Sequence, residues 1–457
     1  MAATAPRRGP ILLGHTPRVS IRTKLTDLGE RADGVSGWRA HALLLLVFAI
    51  LAAPFVADQA VENRELSIFD EWQYSERVHQ VARGDLFMRN GEVLTEWAQD
   101  TRTCRGIIRL GPAAPPPCRS GEPFVVANSA AADPPPYFVA TGLVAGALLK
   151  TGLVEDSVLA GRLVGALWAA VSMWSLFLLA RAFGAGRAGS FVVSTTVLMV
   201  PALLQQYTFI TPHALDIPVG AFASLATLRF LRREWPWGTL VLASLGVAGV
   251  KGSNVIIVVA LGVVLLSVIA WPRVFDRATR LRALVGGVVL AASTLVFTVL
   301  WMLIIDWTQV ADPPPPGDYL VESLALSQVL LDSVSFLGPF GEGQMIIASV
   351  WLMFMMIGTA LAVWSGLAGE QAPFVRQFAP GYLLGASLGA VVLDLMVFFT
   401  TDQYIGILFR YGLAVWPLGL AFAALLLRTR TALVLAVVGL VLYAMLPGLA
   451  GMDSLAM

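Results

Sequence analysis

The chain has 457 residues, 57% of them hydrophobic and only 13% charged, with a mean hydropathy of +0.74. Soluble domains carry roughly 25% charged residues, so this composition excludes a soluble globular protein and indicates an integral, all-α polytopic membrane protein. The net charge of +1 carries no electrostatic argument for a nucleic-acid partner, and none is expected.

Residues 1–37 form a basic tail containing Arg7, Arg8, Arg18, Arg22, Lys24 and Arg31. A membrane span needs about 20 mainly apolar residues, and the first candidate is 38–57. A cleaved signal peptide is the alternative for that stretch, with an unusually long basic leader. Residues 58–159 then form a loop of roughly 100 residues, too rich in Trp, Tyr and Phe for a disordered segment. Prolines at 112, 115–117 and 134–136 punctuate it, and an apolar stretch at 137–149 is of interfacial or re-entrant length. Residues 160–457 are read as a helix bundle with spans at 160–180, 188–206, 213–231, 237–250, 252–271, 283–305, 345–368, 378–400, 411–427 and 431–450, which makes eleven with the first.

The distribution of positive charge orients this count. With 137–149 not crossing, the basic tail, Arg181, Arg187, Arg229, Arg232, Arg233, Arg273, Arg277, Arg280, Arg282, Arg376, Arg428 and Arg430 all fall on the cytoplasmic side. The opposite loop, 306–344, has no Lys or Arg but holds Asp306, Asp312, Asp318, Glu322, Asp332 and Glu342. The expected protein is therefore a plasma-membrane protein with its N-terminus inside and its 58–159 loop outside. On that side a disulfide between Cys104 and Cys118 is expected.

Several polar groups sit on the predicted outer face. In "SIFDEWQYSERVHQVARGD" (67–85), Asp70, Tyr74 and Arg77 share one face of an amphipathic helix, and Ile68, Trp72 and His79 share the other. Asp70 is either a general base or an N-cap, with Gln73 completing a capping box. Glu71 is secondary, since neighbours on a helix diverge by about 100°. "AADPPPYFVA" (131–140) offers Asp133 and Tyr137 as a rigid corner or as the wall of a lipid or sugar site. "TFITPHALDIP" (208–218) places His213 and Asp216 on one helical face, as a hydrogen-bonded pair, metal ligands or substrate contacts. Lys251 in "GVAGVKGSNV" (246–255) and Arg410-Tyr411 in "GILFRYGLAVWPL" (406–418) are cations that suit phosphate or lipid headgroups.

These motifs resemble the GT-C superfamily of polytopic glycosyltransferases, which use polyprenyl-phosphate-linked sugars. The matching features are the acidic pair Asp70-Glu71 in a large first outer loop, "DPPPYF" (133–138), the stretch from Arg162-Leu163 to Arg187, Asp216, and Arg410-Tyr411 with Pro417. The nearest likeness is to a bacterial branch with a "DE…Y" loop and a late "GRY" element, where this chain has Phe409 in place of the glycine. The resemblance implies inverting transfer of a sugar from a polyprenyl-phosphate donor to an acceptor glycan, lipid or protein. Asp70, helped by Glu71, would take the acceptor proton, and Lys251, Arg410 and Tyr411 would hold the donor phosphate. Tyr74, His79, Asp133, Tyr137, His213 and Asp216 would line the substrate site. No second acidic pair of the DxD kind is present, so no metal ligands are assigned and a divalent metal stays open. A lipid or small-molecule transporter or flippase, to which Asp394 within a span would point, and a non-catalytic membrane assembly protein are the alternatives.

Overall fold

A computed structural model describes residues 37–68, 70–108, 118, 128–311, 326–335, 345–367, 372–401 and 409–449. The tail at 1–36, the prolines at 112 and 115–117, and Asp312, Asp318, Glu322 and Glu342 lie outside the described residues. The chain divides into two compact units, Met1–Leu46 and Val47–Met457. The described part of the first is only the beginning of the first helix, and all other elements belong to the second.

Helix α1 is Trp38–Glu62, and the polar segment after it contains α2 (Glu71–Ala82), α3 (Glu96–Arg105) and α4 (Pro136–Lys150). Then come α5 (Ser157–Phe183) and the pair α6 (Arg187–Met199) and α7 (Pro201–Thr208), bent by 69° where Val200 precedes Pro201. The chain continues through α8 (Pro212–Leu231), α9 (Gly238–Val250), α10 (Gly252–Ala270) and α11 (Arg277–Trp307). The last elements are α12 (Leu326–Ser335), α13 (Met345–Ser365), α14 (Pro373–Phe399), α15 (Trp416–Leu426) and α16 (Arg430–Leu449). The described residues form no strand; Leu66 and Ile107 make an isolated bridge.

Six of these helices are long and apolar enough to cross a membrane, namely α1, α5, α8, α10, α11 and α14, and the bent α6–α7 pair would be a seventh. The other stretches predicted as spans are helical but shorter in the described residues, as α9, α15 and parts of α13 and α16. Helix α11 exposes Leu284, Val288, Leu295 and Leu303, an apolar surface suited to lipid. Inside the bundle, Gly381, Gly385 and Gly389 of α14 pass against Ala260, Val264 and Ile256 of α10. Small residues let helix backbones approach closely, and a π-helical turn at Gly381–Gly385 follows Pro380.

Two expectations need correction here. The acidic stretch 306–344 contains a helix, α12, which packs on α14 and buries Asp332. Helix α2 is not amphipathic in the sense of one wet face. Glu71, Gln73, Tyr74, Ser75, Glu76, Arg77, Val78 and Val81 are all buried, because α4 covers one side and α3, the start of α5 and the 3-10 turn Ser129–Ala132 pack on the rest. Gly142 of α4 makes that approach: a Cβ there would lie 2.5 Å from Val81 Cβ.

Candidate functional site

Three breaks in the bundle come together beside α2 and α4. Each is a short 3-10 turn at the start of a helix: Pro212–Leu215 opens α8, Gly252–Asn254 opens α10, and Phe409–Val415 precedes α15. Helix N-termini expose unpaired N–H groups and carry partial positive charge. Gly220 sets the spacing between two of the breaks, since a Cβ at that position would fall 1.7 Å from the Ala414 carbonyl oxygen. Only glycine lets α8 pass so close to the turn that holds Arg410 and Tyr411.

Asp70 stands immediately before α2 with φ 62° and ψ 13°, in the left-handed region. That conformation is costly for a residue with a Cβ, though Asp tolerates it better than most. The expected capping box is absent: the Asp70 side chain makes no capping hydrogen bond. Its carbonyl instead accepts from Gln73 N and Tyr74 N at 2.9 and 3.0 Å, so the backbone starts the helix and the carboxylate is left for other partners. Burial raises the carboxyl pKa above its ordinary 3.8, the cations Arg410 and Lys251 oppose that rise, and Asp133 adds to it.

Lys251 donates to Asp133 Oδ2 at 2.8 Å and to the Tyr74 hydroxyl at 3.0 Å, and its ammonium lies 5.4 Å from the Tyr74 ring centre. Burial disfavours the charged lysine, but Asp133, Tyr74 and Tyr411 outweigh it and hold its pKa above the ordinary value. Burial likewise keeps the Tyr74 phenol protonated by raising its pKa. Asp133 is fixed from behind by Arg77, which donates to its backbone carbonyl at 2.7 Å and also to the Ala130 carbonyl. The Arg77 guanidinium rests 4.2 Å from the Phe138 ring centre. Burial lowers its pKa to about 10, so it stays cationic at neutral pH.

His213 Nδ1 lies 2.6 Å from Asp216 Oδ2, and the pair is fully buried. The carboxylate orients the imidazole through Nδ1 and leaves Nε2, which has no partner among the described residues, as the second functional nitrogen. The His213 and Tyr411 rings meet edge-on at 5.4 Å. Arg410 donates to the Tyr411 hydroxyl at 3.3 Å, and the Tyr137 hydroxyl accepts from Thr211 N at 3.0 Å. Asp70, Tyr74, Asp133, Tyr137, His213, Asp216, Lys251, Arg410 and Tyr411 therefore form one neighbourhood, although they span the chain from its first polar loop to a late span.

Two predicted site residues are placed elsewhere. Glu71 points away from this cluster into a closed clamp. Its Oε1 accepts from Arg162 Nε at 2.8 Å and Ile210 N at 3.0 Å; its Oε2 accepts from Arg162 Nη2 at 2.8 Å and Ser67 N at 2.7 Å. Arg162 also donates to the carbonyls of Asn63 and Glu65. A carboxylate with four donors is anchored, and its role is to position the segment carrying Asp70. His79 lies at the far end of α2, stacked on Trp97 at 3.9 Å and bonded to Ser157 Oγ at 3.0 Å. Cys104 and Cys118 are disulfide-bonded, with Cα atoms 4.9 Å apart.

Sequence reasoning missed the supporting residues. The helical pattern puts Arg77 on the face of Asp70 without naming its partner, and Arg162 enters only through the resemblance. Glu76, which accepts from Asn128 Nδ2 and Thr95 N at 2.7 Å each, was not singled out. The one available signal was the presence of charged residues flanking an apolar chain, where a buried charge needs a partner.

No family model matches the chain, and no curated protein matches it. Among the described residues no group of three or more His, Cys, Asp and Glu is arranged to hold a metal ion. Asp133 and Asp216 are already engaged by Lys251 and His213, so the donor set does not fit a metal and no step is assigned to one.

Proposed function

We propose that the protein is a membrane glycosyltransferase that uses a polyprenyl-phosphate-linked sugar, with Asp70 as general base. The observation that carries this reading is the meeting of a strained, half-buried carboxylate with two cations, Lys251 and Arg410, where three helices begin. Buried cations at helix N-termini favour an anionic ligand. A carboxylate whose pKa is raised is a better proton acceptor than an ordinary one. In this reaction the acceptor hydroxyl oxygen attacks the anomeric carbon and its proton passes to Asp70. The bond from that carbon to the phosphate oxygen breaks, and the lipid phosphate leaves with the electron pair, stabilised by Lys251, Arg410 and Tyr411. Tyr74 and Asp133 hold Lys251 in place, and His213, with Asp216 behind it, contacts the substrate. On this reading the chain has eleven spans, a cytoplasmic N-terminus and its 58–159 segment outside, as the positive charges suggest.

The test is transfer of a radiolabelled sugar from a polyprenyl-phosphate donor in proteoliposomes. Asp70→Asn should lower transfer by about 10²–10⁴-fold while the protein still folds and binds donor. Undiminished transfer by Asp70→Asn would reject Asp70 as the base.

A further inference from the structure

A cleft lies at the other end of α2 from Asp70. It has a volume of about 720 Å³ and lies between the end of α1, helix α3 and the start of α5. That volume is within the usual range for small-molecule sites. Its wall includes Asn63, Arg64, Trp97, Asp100, Thr101 and Glu155, none of which takes part in the chemistry around Asp70.

Three features of this cleft select a class of ligand. The first is a rigid aromatic plane. Trp97 is stacked on His79 with an interplanar angle of 3°, and His79 is fixed in turn by Ser157. Trp97 lines the cleft and its stacked partner His79 does not. Burial and the nearby Arg83 lower the His79 pKa to about 4, so the stacked ring is neutral at physiological pH. The second is charge balance. Arg105 and Asp156 in the wall are paired at 2.5 Å, and Asp156 also caps α5 through Leu159 N at 2.9 Å. What remains is one guanidinium, Arg64, with the carboxylates Asp100 and Glu155, which is no trap for an anion. The third is a supply of polar groups in the same wall as the indole, from Arg64, Asp100, Thr101 and Asn63, whose Nδ2 already donates to the Gln59 carbonyl at 2.8 Å. An aromatic face sharing a wall with side chains that both donate and accept suits a neutral polyhydroxylated ring: its C–H face stacks and its hydroxyls bond at the edge. The Cys104–Cys118 bond ties the α3 wall, so the platform is covalently braced.

We propose that this cleft is a saccharide-binding subsite for a neutral glycan, with Trp97 as its platform. Asp70 and His79 are nine positions apart along α2, a rise of about 13 Å. On the glycosyltransfer reading, and resting on it, the cleft is an acceptor subsite for an extended glycan; saccharide binding itself does not rest on that reading.

The test measures binding of neutral gluco-, manno- and galacto-trisaccharides to the full chain in nanodiscs by saturation-transfer NMR and calorimetry. A mixed hexapeptide pool serves as the counter-probe. At least one trisaccharide should bind with a dissociation constant below about 1 mM, and Trp97→Ala should weaken it by about tenfold. Trp97→Phe should retain most of the affinity. Thr101→Trp, which fills the cleft and leaves the His79–Trp97 stack intact, should abolish binding and carries the test if Trp97→Ala fails to fold. Absence of trisaccharide binding, binding indifferent to both Trp97→Ala and Thr101→Trp, or binding of the peptide pool alone overturns the proposal. Trp97-dependent binding in a protein that transfers no sugar leaves the subsite standing and rejects the transferase reading instead.

Discussion

Glu71→Gln is the sharpest perturbation of the scaffold, because every lone-pair direction of that carboxylate is used. Each of its two oxygens accepts one Arg162 N–H and one backbone N–H, with all four distances between 2.7 and 3.0 Å. A glutamine must direct its NH₂ group at one of these donor pairs. It thus loses two hydrogen bonds, sets donor against donor, and leaves the buried Arg162 guanidinium without a counter-charge. Breaking a buried pair by removing one partner costs about 3–5 kcal/mol, against a total stability of about 5–15 kcal/mol for ordinary folded proteins. Arg162→Met should cost a similar amount, since Glu71 then keeps only the Ser67 and Ile210 amides. The double substitution Glu71→Gln with Arg162→Met should be less destabilising than the sum of the two singles by about 1–3 kcal/mol. Unfolding in mixed micelles, titrated with denaturant, measures all three variants, and limited proteolysis reports on the 63–71 segment. If Glu71→Gln unfolds within about 0.5 kcal/mol of the unmodified protein, the clamp does not hold the segment. Loss of transfer in that variant with no loss of stability would return Glu71 to the chemistry.

The remaining predictions address the reactive end and the bundle. Burial raises the Asp70 pKa, so the folded state holds that proton more tightly than the unfolded state. The stability this group contributes is therefore full at low pH and is lost as pH rises through the raised pKa. Asp70→Asn, which cannot ionise and tolerates the left-handed backbone, should inactivate the protein yet gain in melting temperature relative to the parent as pH rises from about 4 to 8; a gain independent of pH would refute the electrostatic account. Gly220→Ala should cost about 1–3 kcal/mol and reduce transfer, because the added methyl meets the Ala414 carbonyl and displaces the Arg410 turn; unchanged donor binding would contradict that placement. Asp394 is buried in α14 with neither carboxylate oxygen partnered among the described residues. If it has no part in transfer, Asp394→Leu should retain activity and raise stability by about 1–3 kcal/mol, whereas loss of activity in a folded protein would favour the transport alternative.

Much of the helical architecture was legible because long apolar runs leave few choices in a bilayer. The predicted stretch 213–231 is Pro212–Leu231, and 252–271 is Gly252–Ala270. The 27-residue helix Ser157–Phe183 starts before the predicted 160–180 because Asp156 caps it through Leu159 N, a feature hydropathy does not register. The site was legible in its residue types, since Asp133, His213, Lys251 and Arg410 are costly in an apolar chain and needed a reason. Pairings between distant positions were not legible. Glu71 and Asp70 differ by one position, yet one is sealed against Arg162 and the other faces Lys251 and Arg410, a division that depends on the left-handed turn at Asp70. His79 shares its short helix with Asp70 but lies at its far end. A helix rises about 1.5 Å per residue, and nine residues are enough to carry it to its stack on Trp97.

The strain at Asp70 and the clamp at Glu71 belong to one device. A left-handed aspartate without a capping bond relaxes unless its flanks are held. Here the flank before it is tied by Arg162 to the carbonyls of Asn63 and Glu65, and the residue after it is Glu71 itself, anchored to Arg162 and to the backbone of Ile210. Two residues beyond Ile210 begins the turn bearing His213, and the Thr211 amide is bonded to Tyr137. The same buried ion pair thus sets the position of the carboxylate on one side and of the His213–Asp216 pair on the other. A charged pair is a weak way to stabilise a fold, since apolar residues of similar volume often do as well. It is, however, a strong way to fix one geometry, because four donors around one carboxylate tolerate little displacement. That distinction explains why an apolar chain keeps a fully buried Glu–Arg pair one residue from its most strained position: the pair's contribution is to the placement of Asp70 more than to the free energy of folding.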